Sequence, residues 1–283
     1  MICRELYLSA KARLAEAGVD SPGFDAAQLA ARFLGLDRPA LALRGEEEAP
    51  ALAERAFLQA VEERAARRPL QYILGEWPFL SLTLRLGEGV LVPREDTAVL
   101  VEALARRLER IGRPRGLDLC AGTGAVGLGL CSLVPDARVA CVELDSRAME
   151  YLWANTVRYP QYAVSLVQGD VLFGPQNLGL AGELDFIASN PPYIAEDELP
   201  ALQPEVLREP ILALDGGPDG LVFYRAILEK WLPLLRRGGV LAVEIGDTQG
   251  PAVKELFRSA GLGEVQVLQD WAGLDRVVMG ERE

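Results

Sequence analysis

The sequence contains no histidine, the side chain that most often serves as a general base or a metal ligand. It is also short of positive charge, because 29 Lys and Arg stand against 41 Asp and Glu and leave a net charge of −12. Such a charge repels a bare polyanion at long range. We therefore expect chemistry that needs no strong base, and no direct contact with nucleic acid.

Paired cysteines and long apolar runs are absent as well. The four cysteines, Cys3, Cys120, Cys131 and Cys141, never stand in a C-x-x-C spacing, so we expect no zinc or other metal site. No apolar run is long enough to span a bilayer, and nothing resembles a signal peptide. The sequence predicts a cytoplasmic protein that does not associate with a membrane.

The first 75 residues have the apolar spacing of helices. Ser21-Pro22 is typical of a helix start, and a helix over 52–67 would end before Pro69. We predict a small helical bundle over residues 1–75. A chain of 283 residues can accommodate this bundle and a second, larger domain.

The pattern then changes to alternation. Leucines occupy every second position from Leu80 to Leu86, and Gly87-Glu88-Gly89 separates them from the apolar residues 90–92. This predicts a β-hairpin with its turn at the glycines. We assign residues 76–92 to a hairpin linker and residues 93–283 to the second domain.

From Gly116 onward, strand and helix patterns alternate. Seven strands are predicted, over residues 116–120, 138–143, 164–168, 184–189, 240–245, 264–269 and 275–279. Helices between most of them indicate an open, Rossmann-like α/β sheet covered on both faces. The last two strands are joined too closely for a parallel crossover, so they should pair antiparallel.

Asn-Pro-Pro-Tyr at residues 190–193 follows the predicted strand 184–189. Two prolines stop further strand pairing, which leaves the Asn190 carboxamide and the Pro191 carbonyl as acceptors at the strand end. Tyr193 adds a flat face. Two acceptors beside an aromatic ring suit a planar –NH2 group, although Asn and Pro are also common turn residues.

A glycine loop follows the first strand of the sheet. Gly122, Gly124 and Gly127 fit G-x-G-x-x-G, a pattern that by itself weakly indicates a dinucleotide. Asp118 would oppose a pyrophosphate but suits a cationic ligand such as S-adenosylmethionine. Its alternative role is to cap a helix or a turn.

Two further acidic residues follow strands. Glu143 ends the second strand at the spacing expected for binding ribose hydroxyls, whereas Asp145 more plausibly caps the next helix. Asp170, after the third strand, could accept from an adenine amino group while Val171 packs against the ring, or it could be an ordinary loop residue. The carboxyl ends of parallel strands share one edge, so these signals should converge there.

Several blocks together resemble the HemK/PrmC family, seven-stranded S-adenosylmethionine-dependent methyltransferases that act on the glutamine in the Gly-Gly-Gln loop of peptide-chain release factors. The markers are residues 69–75, 92–97, the glycine loop, 189–194 and 209–221. The resemblance implies that residues 1–75 dock the release factor. It implies cofactor contacts at Asp118, Cys120, Ala121, Gly122, Thr123, Gly124, Glu143, Asp170, Val171 and Asn190. It implies catalysis by Asn190, Pro191 and Tyr193, and substrate contacts at Asn190, Pro191, Pro192 and Tyr193.

The chain departs from the family pattern at three places. Cys120-Ala121 stands where Gly-Thr is common, Glu143 where Asp is common, and Val171 where an aromatic is frequent. Alternative functions are methylation of an amino group on a nucleic-acid base or of a ribosomal-protein glutamine. More distant are NAD-dependent oxidation and a non-catalytic cofactor-binding role.

Overall fold

The computed structural model of the chain describes residues 1–176, 178–180 and 183–283. Their contacts divide them into two compact units. The first comprises Met1–Glu76 together with Gln203–Arg208, and the second comprises Trp77–Leu202 and Glu209–Glu283. The first unit therefore includes six residues from the middle of the chain, a feature that no sequence pattern indicated.

The first unit is helical. Its elements are α1 (Cys3–Glu16), α2 (Pro22–Leu34), α3 (Arg38–Arg44), α4 (Ala51–Ala65) and α5 (Leu70–Leu74). α2 begins with Pro22 in its first turn and ends at Gly35, whose φ of 69° is favourable only for glycine. Leu6, Leu14 and Phe57 are fully buried and form part of its core.

A buried ion-pair network fixes residues 203–208 within this unit. Arg64 lies 2.6 Å from Asp25 and 2.8 Å from Glu205, and Arg67 lies 2.7 Å from Glu205. Burial raises the pKa of Asp25 in spite of its arginine partner. Burial acts in the same direction on Glu205, but its hydrogen bonds to both arginines prevail and lower its pKa. Glu205 is thus the second carboxylate that the buried Arg64 guanidinium requires.

The predicted hairpin exists in a different place. β1 (Glu76–Phe79) and β2 (Leu82–Arg85) form a two-stranded sheet, so the turn of the hairpin lies at residues 80–81 and the prediction that it lies at Gly87–Gly89 is wrong. The alternating leucines mark only one strand, since Leu82 and Leu84 are buried in the core. Its partner precedes it, where Pro78 obscures the strand pattern, and residues 90–92 form no strand.

The second unit contains the seven-stranded sheet, and the predicted α/β class is confirmed. Its other elements are α6 (Thr97–Leu108), β3 (Arg115–Leu119), α7 (Ala125–Leu133), β4 (Arg138–Glu143), α8 (Ser146–Arg158), β5 (Ala163–Gln168), β6 (Leu184–Ser189), α9 (Val222–Ala226), β7 (Leu235–Glu244), α10 (Gly250–Ser259), β8 (Leu262–Gln269) and β9 (Asp275–Arg282).

The strand order is β5-β4-β3-β6-β7-β9-β8. Neighbours from β5 to β7 are parallel, whereas β9 pairs antiparallel with both β7 and β8, as the short connection predicted. Apolar residues of β2, α6, α7 and α8 cover one face of the sheet, and those of α9 and α10 cover the other. The central strands are accordingly apolar on both faces, as in Phe186 and Ile187, which are fully buried.

The strand register brings the carboxyl ends together. Leu119 of β3 is aligned with Val142 of β4 and Ser189 of β6, and Glu143 is aligned with Gln168 of β5. The segments that follow these four strands therefore emerge along one edge of the sheet. Among the residues that the structure describes, no helix is both long and apolar enough to cross a membrane.

Candidate active site

A pocket lies at this edge of the sheet. It is lined by the glycine loop and by the segments after β4, β5 and β6, and it continues along residues 89–97 and 210–213. Of the predicted site residues, the pocket wall includes Cys120, Ala121, Gly122, Thr123, Glu143, Asp170, Val171, Asn190 and Pro192. The sequence signals thus converge in one cavity of the second unit.

The glycine loop leaves β3 through unusual backbone conformations. Cys120, Gly122 and Gly124 have φ values of 60°, 54° and 83°, and only the two glycines adopt such values without steric cost. Gly127 lies deeper, where an added Cβ would be 2.6 Å from the Cys141 sulfur. These features bring the start of α7 close to the sheet beneath the pocket.

Asp118 supports this loop from behind and does not line the pocket. Its Oδ2 accepts from the Gly127 amide at 2.8 Å, and its Oδ1 is buried without a partner in the described part of the chain. Burial raises the pKa of Asp118 to about 7. The expectation that Asp118 faces a cationic ligand directly is therefore corrected, since its side chain points under α7 instead.

Glu143 joins the strand end to the glycine loop. Its Oε2 accepts from the Gly122 amide at 2.8 Å, and its Oε1 accepts from the Leu144 and Asp145 amides at 2.8 and 2.9 Å. Burial raises its pKa, although these three donors oppose the shift. Asp145 caps α8 through the amides of residues 147 and 148, which is the role that the sequence predicted for it.

Asp170 and Val171 form the next part of the wall. Asp170 Oδ1 accepts from the Leu172 amide at 2.8 Å, and the Val171 carbonyl accepts from the Trp231 indole at 2.9 Å. Cys120 also faces this pocket, but burial raises the pKa of its thiol well above its usual value. The thiol is thus neutral and poorly suited to act as a nucleophile.

Asn190 directly follows β6, and the nitrogen and the oxygen of its carboxamide differ in their partners. Its Nδ2 donates to the Thr97 hydroxyl at 3.2 Å. Across residues 1–176, 178–180 and 183–283, no donor is bonded to Asn190 Oδ1 or to the Pro191 carbonyl. Both predicted acceptors are therefore available at the end of the strand.

Tyr193 and Pro191 are placed differently from the other two residues of the tetrapeptide. Neither of them contributes to the pocket wall. The Tyr193 carbonyl accepts from Gln249 Nε2 at 2.9 Å, and burial, with Glu244 nearby, raises the pKa of its phenol to about 12. The phenol is neutral at ordinary pH.

Two segments for which the sequence indicated no role, residues 92–97 and 209–214, form another part of the pocket wall. Glu209 is buried, accepts from the Val92 amide at 2.9 Å and pairs with the Arg94 guanidinium. This contact holds residues 92–94 against the segment that begins at Pro210, and residues of both line the pocket. The sequence had marked the blocks 92–97 and 209–214, but the spacing between them gave no sign that they pair.

The fold and the pocket define a class. A seven-stranded sheet of this order, with a glycine loop after one central strand and a carboxylate at the end of the next, is that of the S-adenosylmethionine-dependent methyltransferases. The likeness extends to solved structures: the hMettl16 catalytic domain has a TM-score of 0.58 at 16% identity and matches 82% of each chain. A methyltransferase from Pyrococcus furiosus has a TM-score of 0.51 at 20% identity and matches 72% of this chain and 90% of its own.

Sequence relatives identify the family. Residues 5–75 match the PrmC N-terminal domain and residues 95–216 the methyltransferase small domain. A release factor glutamine methyltransferase of Moorella thermoacetica is 43% identical over 100% of this chain and 99% of its own. One from Deinococcus radiodurans is 36% identical over 100% and 99%. The chain belongs to the release factor glutamine methyltransferase family.

Proposed function

We propose that this chain transfers a methyl group from S-adenosylmethionine to the side-chain amide nitrogen of the glutamine in the Gly-Gly-Gln loop of peptide-chain release factors. The observation that carries the proposal is a pair of acceptors, Asn190 Oδ1 and the Pro191 carbonyl, that have no donor among the described residues and lie at the end of the strand that borders the cofactor pocket. The names of the full-length relatives support the same substrate.

The pocket suits this cofactor. The half-buried carboxylates of Glu143 and Asp170 are acceptors for ribose and adenine groups, and Val142 and Val171 provide an apolar surface for a ring. The approach to the backbone at Gly122 is open, because glycine has no side chain and the nearest atom to an added Cβ, on Val90, would be 3.7 Å away. When bound, S-adenosylmethionine supplies a methyl group on a sulfonium, and transfer to nitrogen leaves a thioether and releases one proton.

The residues of the chain act on the substrate amide. An amide nitrogen is a weak nucleophile because its lone pair is delocalised into the carbonyl. If Asn190 Oδ1 and the Pro191 carbonyl each accept one N–H, they stabilise positive charge on the nitrogen and fix the direction of its lone pair. No strong base takes part, which agrees with a chain that has no histidine.

The substrate loop should be narrow, since glycines before the glutamine let it reach a recessed pocket without side-chain clashes. We infer that the helical unit binds the release factor at a second place and so raises the effective concentration of the loop. The proposed partner is thus a folded release factor, with no direct contact to nucleic acid.

The test is methylation of purified release factor with labelled S-adenosylmethionine, followed by peptide mapping. We expect label only on the glutamine of the Gly-Gly-Gln loop, and Asn190→Ala should reduce turnover roughly 100-fold or more, as for loss of an acceptor that acts in the transition state. Gln168→Ala, an exposed strand end on the same edge, is the matched control. Label on RNA or DNA and none on release factor would overturn the substrate assignment.

A further inference from the structure

Residues 216–221 end a block that the sequence marked, yet the chemistry proposed above gives them no role. In the structure they begin a segment that packs against the backbone leaving the tetrapeptide. The Gly216 amide donates to the Ile194 carbonyl at 2.8 Å, and the Ile194 amide donates to the Leu214 carbonyl at 3.0 Å. Ile194, the residue after Tyr193, is thus held to this segment by a bridge of two hydrogen bonds.

Two glycines of the segment lie too close to Tyr193 for any side chain. A Cβ added to Gly216 would be 2.8 Å from the carbonyl carbon of Tyr193, and one added to Gly220 would overlap the Tyr193 carbonyl oxygen. Gly220 also has a φ of 69°, which other residues adopt only at a steric cost. The lack of side chains therefore lets the segment lie directly on the Tyr193 peptide.

Gln249, the residue before α10, is hydrogen-bonded to the same peptide. Its Nε2 donates to the carbonyls of Tyr193 at 2.9 Å and Gly220 at 3.3 Å, and its Oε1 accepts from the Gly246 amide at 2.9 Å. These partners fix the orientation of the carboxamide, because a backbone N–H only donates and a carbonyl only accepts. The amide nitrogen of Gln249 is therefore directed at the Tyr193 carbonyl.

The tetrapeptide is stiff between its two ends. The rings of Pro191 and Pro192 fix two φ angles, and a residue that precedes proline is confined to extended conformations, which restricts Asn190 and Pro191. At its first end the tetrapeptide continues β6, which lies between β3 and β7 in the sheet. A stiff segment anchored only there can still pivot about the φ of Asn190, whereas a second anchor at Tyr193 prevents this motion.

We propose that Gln249 and Gly220 are positioning residues, which fix the Tyr193 peptide and so hold the two acceptors of the tetrapeptide at the substrate nitrogen. The inference rests on the proposed function. Neither Gln249 nor Gly220 belongs to the pocket wall, so both act through the tetrapeptide and not on the cofactor. The effect on turnover is large, because a misplacement of about 1 Å can reduce the rate about 100-fold.

Gln249→Glu separates positioning from support of the fold. A carboxylate still accepts from the Gly246 amide but cannot donate to the two carbonyls, so only the anchor at Tyr193 is lost. We expect kcat on release factor to fall at least about tenfold. KM for release factor and the Kd for S-adenosylmethionine, measured by calorimetry, should stay within about threefold, since the docking and cofactor contacts are unchanged.

Gly220→Ala and Gly273→Ala form a matched pair, which decides the proposal by itself if Gln249→Glu does not fold. Both glycines have a left-handed backbone, with φ of 69° and 80°, so both variants incur a similar steric cost. A Cβ at Gly220 would overlap the Tyr193 carbonyl, whereas a Cβ at Gly273 would meet no atom within 4 Å. We expect Gly220→Ala to reduce kcat at least about tenfold and Gly273→Ala to keep it within about threefold.

Hydrogen exchange gives a measurement that does not depend on turnover. The Ile194 amide should exchange faster in Gln249→Glu and Gly220→Ala than in the wild type, and at the wild-type rate in Gly273→Ala. The proposal is overturned if Gln249→Glu keeps kcat within about threefold, if the two alanine variants reduce kcat equally, or if Ile194 exchanges at the wild-type rate in Gln249→Glu. A wild type that does not methylate release factor would instead count against the proposed function, and hydrogen exchange would still decide whether Gln249 anchors the Tyr193 peptide.

Discussion

Cys120 has a left-handed backbone at the point where β3 enters the pocket. Its φ of 60° is one that glycine tolerates and other residues adopt at a cost of roughly 1–2 kcal/mol. The cost of the left-handed backbone at this residue can be tested directly, because another cysteine, Cys131, lies within the helix α7 and serves as a comparison.

We expect Cys120→Gly to be more stable than Cys120→Ala by about 1 kcal/mol, since both lose the thiol and only glycine relieves the backbone. At Cys131 the order should reverse by about 1 kcal/mol, because glycine is unfavourable in a helix. Urea unfolding of the four variants measures both differences. Equal stabilities of the two variants at residue 120 would show that the left-handed conformation costs nothing there.

Asp118 should make stability depend on pH. Its pKa in the folded protein, about 7, lies above the ordinary aspartate value of 3.8, so the folded state binds the proton more tightly than the unfolded state. Its contribution to stability is therefore complete below about pH 4 and is lost as the pH rises to about 7.

The test compares the wild type with Asp118→Asn, in which residue 118 can neither bind nor release a proton. Over the window from about pH 4 to 7, the unfolding free energy of the wild type should decrease relative to the variant, by at most about 1.4 kcal/mol per pH unit. Above pH 7 the difference should be constant. A difference that does not change with pH between 4 and 7 would mean that Asp118 is ionised throughout.

Residues of the site could be predicted from the sequence where they lie at the end of a strand. Glu143, Asp170 and Asn190 could be found because each lies at, or within two residues of, the end of a predicted strand, and parallel strands bring such positions to one edge. Asp118 was expected to face the ligand, whereas its carboxylate bonds the Gly127 amide, since the sequence does not show towards which face of the sheet a strand side chain points. Glu209 lies in a block that the sequence had marked, but its pairing with Arg94 carried no local signal, because the two residues are distant in the chain.

At the scale of elements, the side chain of Asn155 forms hydrogen bonds that connect α8 to two other segments. Asn155 is fully buried; its Nδ2 donates to the carbonyls of Arg85 at 3.0 Å and Thr123 at 2.9 Å, and its Oδ1 accepts from the Arg85 amide at 2.7 Å. It thus connects the helix to the strand β2 and to the glycine loop.

Asn155→Ala should destabilise the protein by roughly 2–4 kcal/mol, because three backbone groups lose their partner in a buried place. It should also weaken S-adenosylmethionine binding, since Thr123 belongs to the pocket wall. Thr156→Ala is the control on the same helix: it removes a hydroxyl bonded within its own helix and should cost well under 1 kcal/mol. Urea unfolding and calorimetry give the two readouts, and a similar loss in both variants would contradict the role of Asn155.

Elements were easiest to predict where composition and periodicity agree. The strand β6 has the bounds that the sequence predicted, because its apolar run is flanked by polar residues and then by prolines. The hairpin failed because its first strand contains Glu76 and Pro78 at alternate positions and shows little apolar alternation. Glycines 87 and 89 were read as a turn, whereas they follow a strand that has already ended.

At the scale of the whole molecule, the helical unit is the part proposed to bind the release factor. Removing residues 1–75 is a poor test, because Glu205 would lose both of its arginine partners on the segment 203–208. That segment lies on the loop that leads from the Asn-Pro-Pro-Tyr tetrapeptide. The unit offers a milder change, since Leu43 and Leu52 are 86% and 79% exposed.

The double variant Leu43→Asp, Leu52→Asp should raise KM for whole release factor roughly tenfold, as for loss of contacts at an interface, and leave KM for a short Gly-Gly-Gln peptide unchanged. Leu133→Asp, at an exposed leucine of the second unit, is the control and should affect neither substrate. Steady-state kinetics with both substrates gives the two KM values for each variant. An equal rise for protein and peptide would show that these leucines do not serve docking.

The inclusion of residues 203–208 in the helical unit has a consequence for synthesis of the chain on the ribosome. Arg67 is translated 138 residues before Glu205, and Arg64 earlier still. During that interval Arg64 has Asp25 as a carboxylate partner but not yet Glu205, so a guanidinium that is buried in the finished unit is incompletely neutralised. The first unit to leave the exit tunnel is therefore completed only after β6 has been made, and a gene segment cut after codon 76 encodes helices that lack the Glu205 partner of Arg64 and Arg67.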